Sequence, residues 1–166
     1  MKPAYLTGLA LPVLLALNPI SAAAQDLVVF DSVAGWDILV DPTVGNSCLI
    51  NSVFDDGSDV RIGFDIPNDS GYLLAMNEAW GDITEGQTYP IQMDLDGTIY
   101  EGEGTGLYID GMPGVDIVFD NFDFLMDVAA KNTLTLINES GPVMTIDLSG
   151  TLEALEAAIA CQEAQM

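Results

Sequence analysis

Apolar and polar positions alternate strictly from residue 59 to residue 66. Val60, Ile62, Phe64 and Ile66 fall on one side, and Asp59, Arg61, Gly63 and Asp65 on the other. A period of two is the pattern of a strand buried on one face. The run before it, Cys48 to Phe54, is separated from it by Asp55-Asp56-Gly57-Ser58, a glycine-containing turn, so the two predict a hairpin. Pro67 to Gly71 is a second turn, leading into Tyr72 to Met76 and extending the hairpin to a meander. Tyr89, Ile91, Met93 and Leu95 alternate in the same way, and Asp96-Gly97 turns that run into Thr98 to Glu101. Pro90 cannot donate to a ladder, which places it at a sheet edge or at the beginning of its strand. Asp116 to Phe119 is a further short strand, and Leu134 to Ile137 with Val143 to Leu148 form another hairpin.

Two segments change period. Over Asp120 to Lys131, Phe122, Leu125, Met126 and Ala129 recur at helical spacing, with Asp120 placed to cap and Asn132 to end the helix. From about Thr151 to Cys161 a closing helix is expected: Glu153, Glu156 and Glu163 share a narrow arc while Leu152, Leu155, Ile159 and the alanines occupy the rest, which predicts broad packing. The fold class is therefore mainly β (α+β): an antiparallel meander, sandwich- or roll-like, with one short internal helix and a packed C-terminal helix. The glycine-rich stretch Gly102 to Gly106 lacks the lysine of a phosphate loop and a following helix, and is read as a bulge or tight bend in a strand.

The N-terminus follows a different logic. Lys2 precedes twelve apolar-rich residues, Leu6 to Leu17, and Ala22-Ala23-Ala24 precedes Gln25. This is the layout of a secretory signal peptide, residues 1–24, with an apolar core too short to span a bilayer. Residues 25–166 are expected to form a single exported domain, periplasmic or extracellular, with no membrane insertion after the signal is cut. In that compartment Cys48 and Cys161, the two cysteines of the chain, predict one disulfide. In the chain-entropy treatment a bridge closing so long a loop stabilises by about 4–5 kcal/mol at most.

Charge narrows the function. The 166 residues carry 26 acids, three basic residues and no histidine. Loss of Lys2 leaves Arg61 and Lys131 against all 26 acids, a formal charge of −24. Without imidazole there is no Ser-His-Asp or Cys-His nucleophile pair and no His-ligated metal. Two cations do not neutralise a run of phosphates, so nucleic acid is excluded as a partner and a cationic or protein partner is favoured. Carboxylate pairs remain the one acid–base resource, enough in principle for a carboxylate-based hydrolase, but density alone guarantees such pairs and no residue is singled out as catalytic.

Calcium is a sharper alternative. Asp94 and Asp96, followed by Glu101 and Glu103, put four carboxylates around one hairpin turn, and calcium takes six to eight oxygens. The pattern is a fragment of a calcium loop in strand context, and the competing reading is an Asp-Gly turn on an acidic surface. Asp55, Asp56 and Asp59 form a weaker second cluster. Trp36, Trp80, Tyr89, Tyr100 and Tyr108 are read first as core rings, because Tyr89 alternates in register with apolar residues, and second as the lining of a sugar or peptide groove.

The order of a signal peptide, Trp36 to Val40, Cys48 in an alternating strand, a late strand ending Ile146 to Gly150, and a helix closing with Cys161 resembles a class of small exported bacterial proteins. More distantly it is similar to the invasion-associated locus B family. The resemblance implies a β domain of the cell envelope with an accessory, non-catalytic role. The function expected is that of an exported, acidic, non-catalytic binding protein.

Overall fold

The structure, a computed structural model, describes residues 26–65, 70–81, 83–120 and 122–166. The expected signal peptide and most of the turn before Gly71 lie outside these residues. Ten strands follow in order: β1 (Val28–Val33), β2 (Trp36–Asp41), β3 (Ser47–Val53), β4 (Asp59–Asp65), β5 (Ser70–Met76), β6 (Thr88–Leu95), β7 (Thr98–Ile109), β8 (Met112–Phe119), β9 (Thr133–Asn138) and β10 (Gly141–Asp147). Helix α1 (Phe122–Ala129) separates β8 from β9, and α2 (Thr151–Gln165) closes the chain. All strands belong to one open sheet in the order β1-β2-β3-β4-β5-β8-β7-β6-β9-β10, and every pairing is antiparallel.

The sheet rolls around its helices. Trp36 Nε1 at the start of β2 donates to Ser149 O just beyond β10, at 3.3 Å, although these strands lie near opposite ends of the sheet. A Cβ on Gly150 would come within 2.6 Å of Ala34 Cβ, so the connection into α2 closes against the β1–β2 turn. On the inner face, Ile38, Ile50, Ile62, Leu73, Ile117, Met93, Leu136 and Ile146 join one buried cluster with Leu125 of α1 and Leu155 of α2. Burying one such side chain stabilises by about 1.5–3 kcal/mol, which is why the alternation so consistently points its apolar set inward.

Cys161, on the buried side of α2 with Ala154, Leu155 and Ala158, is disulfide-bonded to Cys48 at the start of β3, with a Cα–Cα distance of 6.1 Å. The hairpin β3–β4 and its continuation into β5 stand as the alternation predicts, with Val53 opposite Asp59 and Val60 opposite Ala75. So does the β9–β10 hairpin.

Four details differ. Strands β1 and β2 are additional: β1 exposes nearly every residue, while Ile38, Leu39 and Val40 of β2 are buried on both faces, so neither alternates. Helix α1 is shorter than 120–131, and α2 runs four residues past Cys161. The glycine-rich stretch is neither a bulge nor a bend. It is the middle of β7, twelve residues long and in unbroken register with β6 and β8. Gly104 and Gly106 are buried and face inward, where a Cβ on Gly104 would meet Ile91 Cδ1 at 2.5 Å and one on Gly106 would meet Thr84 O at 2.5 Å. The glycines admit close neighbours across the strand.

Candidate functional site

The acidic hairpin is a structural clip. Asp96 and Gly97, both at positive φ (50° and 91°), make the tight two-residue turn between β6 and β7 that an Asp-Gly pair favours. Asp94 Oδ1 accepts from Gly97 N at 2.7 Å. Asp96 Oδ2 accepts from Asn132 N and Nδ2 at 3.1 and 3.0 Å, and its Oδ1 accepts from Thr133 N and Oγ1 at 3.0 and 3.1 Å. Asn132 donating to it, joined by Thr133, holds the Asp96 carboxyl below its usual range. Glu101 and Glu103 lie further along β7, opposite Gln92 and Pro90, on the outer face. Among the described residues no three acidic, cysteine or histidine side chains are grouped to hold a metal ion. The second acidic cluster is likewise a turn: Asp56 accepts from Ser58 N at 2.9 Å, which lowers its carboxyl, and Asp59 takes Asn51 Nδ2 and the Arg61 guanidinium.

An opening lies beside that hairpin. Strand β9 pairs with β6 from Leu95 back to Gln92 and no further. In a two-residue hairpin the flanking residues, here Leu95 and Thr98, exchange backbone hydrogen bonds, so odd positions of β6 bond β7 and even positions face β9. Pro90 is in the second set and has no N–H to offer. It stands third in β6, at the point where the sheet has parted, and this accounts for a proline inside a ten-stranded sheet.

Through the parting runs a cleft of about 430 Å³, floored by Ile91, Val115 and Leu136 and walled by Trp80, Ile83, Tyr89 and Val143. On the outer face the same parting, at Ile91, Ile137 and Asn138, opens into a trough of about 680 Å³ bearing Glu101, Glu103 and Glu139. Neither Arg61 nor Lys131 lines either space.

The wall formed by Trp80 and Ile83 is held from several sides. Trp80 N donates to Asn77 O at 3.0 Å, Thr84 N donates to Tyr89 Oη at 2.8 Å, and Tyr108 Oη donates to Ile83 O at 2.8 Å. Gly106 receives Gly86 N and donates to Gln87 O, both at 2.8 Å. Of the five aromatics singled out in the sequence, Trp80 and Tyr89 therefore line the cleft, and Tyr108 braces its wall from behind Ile83. Trp36 is buried and meets Phe54 edge to face, and Tyr100 packs on Phe124. Ile83, Leu136, Val143 and Glu139 carry no sequence signal for this role: the register of β6 with β9 places the last three, and the bond from Tyr108 Oη places Ile83.

A smaller pocket of about 210 Å³ lies on the outer face among Arg61, Asp65, Tyr72, Leu74 and Asp116. Burial raises the Asp116 carboxyl, with Asp65 adding to the shift, and Asp116 Oδ1 and Arg61 Nε have no hydrogen-bond partner. Burial, reinforced by nearby Asp41, raises the Tyr72 hydroxyl.

No protein-family model and no curated protein matches the sequence. The fold does have a counterpart among solved structures. It is similar to invasion associated protein B of Bartonella henselae, with a TM-score of 0.58 over 80% of this chain and 97% of that one, at 18% identity. At that identity the likeness establishes a common fold. No helix among the described residues is long and apolar enough to cross a membrane.

Proposed function

We propose that this chain is an exported, non-catalytic interaction protein of the periplasm or cell exterior whose acidic surface selects a cationic partner. The observation that carries the reading is the parting of β6 from β9, where an apolar cleft shares Ile91, Ile137 and Asn138 with a trough bearing three glutamates and no basic residue. Export is supported by the leader-like N-terminus, by the disulfide and by the shared fold with an invasion-associated bacterial protein. The test is the thermal midpoint of the mature protein in sodium chloride, in sub-millimolar calcium at matched ionic strength, and with an oligolysine. A ligand of the native state raises the midpoint by mass action, whereas screening does not depend on ion identity. The expected result is a rise with oligolysine and none specific to calcium. A calcium-specific rise moves function to the Asp94–Asp96 hairpin with Glu101 and Glu103.

A second reading rests on Asp116. A half-buried carboxyl with a raised pKa near another carboxylate is what a carboxylate-based hydrolase uses as its general acid. Turnover on a panel of glycans and esters that disappears in Asp116→Asn supports it, and no turnover on the panel removes it.

A further inference from the structure

We infer that the cleft and its outer trough form one receptor for a basic peptide segment that inserts a single aromatic or aliphatic side chain between Trp80 and Val143 and lays its cations along Glu101, Glu103 and Glu139. The inference rests on the proposed preference for a cationic partner and adds where that partner sits and what it must contain.

Three observations support the occupant. The cleft is lined mainly by apolar side chains, and its volume, about 430 Å³, admits a large side chain with room to spare. The trough that adjoins it at Ile91 and Ile137 bears acids of one sign. Glu101 and Glu103 are two apart on β7 and so project from the same face, while Glu139 comes from the β9–β10 turn across the parting. A neutral apolar ligand makes no use of the trough, and a cation without an anchor makes no use of the cleft. One segment carrying both uses both, with the anchor fixing position and the charges speeding encounter.

The probes are an oligolysine with one central phenylalanine, the same peptide with serine in its place, and a neutral peptide with the phenylalanine alone, each titrated into the full mature chain at low salt. Tryptophan emission serves as a second readout, because Trp36 is buried and Trp80 lines the cleft. The anchored oligolysine is expected to bind about tenfold or more tightly than the serine form. The variant with Glu101→Gln, Glu103→Gln and Glu139→Gln should lose about tenfold in affinity, while Glu153→Gln, Glu156→Gln and Glu163→Gln, the same change of charge on α2, should lose less than about twofold. The emission change should vanish in Trp80→Phe. Equal losses in the two triple variants, equal affinity of the two oligolysines, or an emission change that survives Trp80→Phe each overturn the inference while leaving a cationic partner standing, and tighter binding by the neutral peptide overturns both. Failure of every oligolysine to bind overturns both.

Discussion

Cys161 on the buried face of α2 is bonded to Cys48, the second residue of β3, a link across 113 positions of sequence that ties the C-terminal helix to the sheet half farthest from it in the chain. The bond does not stand alone: Gln162 beside it accepts from Cys48 N at 2.9 Å. Replacing both cysteines by alanine is expected to lower unfolding free energy by about 2–4 kcal/mol. Urea unfolding of the two forms measures the difference. A chain that reacts with a thiol reagent when unfolded without reductant contradicts the bridge.

Two glycines of one strand should respond differently to the same substitution. A Cβ on Gly106 meets Thr84 O at 2.5 Å and Ile83 Cγ2 at 2.8 Å, and backbone cannot step aside as a side-chain end can. Gly106→Ala should destabilise by about 1–3 kcal/mol, as overpacking does, and should weaken the wall of the cleft. A Cβ on Gly102 meets only Met93 Cε, at 3.4 Å, so Gly102→Ala should be close to neutral. Equal destabilisation of the two in thermal melts is the contrary result.

The four hydrogen bonds that Asp96 accepts hold its carboxyl below the unfolded value. Such a group contributes stability above the unfolded pKa, about 4, and loses it as pH falls through the folded value. Asp96→Ala should therefore lower the thermal midpoint at pH 7, with the gap to the native protein narrowing as the solution is acidified below about pH 4. A gap that is constant with pH assigns the loss to something other than the carboxylate.

Asp116 has the opposite sign. Burial, with Asp65 adding to it, raises its carboxyl, so its contribution to stability is fully present below the unfolded pKa and is lost as pH rises through the folded value. Asp116→Asn should raise the midpoint at pH 7 and leave it unchanged near about pH 3, where the aspartic acid is already neutral. A lower midpoint at pH 7 shows instead that the ionised group is favourably partnered.

How far the sequence discloses this arrangement depends on what each residue's neighbours are. Val60, Ile62 and Phe64 alternate because β4 has one fully apolar face, and Asp96-Gly97 shows its turn because two positive φ angles demand such residues. Asp110-Gly111 gives the same signal and marks the beginning of β8 four residues before the run at 116. Strands β1 and β2 are silent for opposite reasons, one exposed on nearly all sides and the other buried on both. The disulfide is legible from cysteine number and the leader. The cleft is legible only in part. Tyr89 and Trp80 stand out as aromatics, whereas Leu136 and Val143 look like any core residues until the register of β9 stops at Gln92. Asp94 and Asp96 resemble metal ligands in spacing; the bond of Asp94 to Gly97 is local to the turn, whereas those of Asp96 to Asn132 and Thr133 emerge only from tertiary contact.

The most direct test of the central claim is to map the contact. Backbone amide resonances of the mature chain, titrated with the phenylalanine-bearing oligolysine, should shift mainly at Ile83, Tyr89, Ile91 and Gln92, and at Ile137 to Ser140 and Val143, the residues around the parting of β6 and β9. Shifts spread evenly over the acidic segments, or centred on α2, contradict a site at that parting.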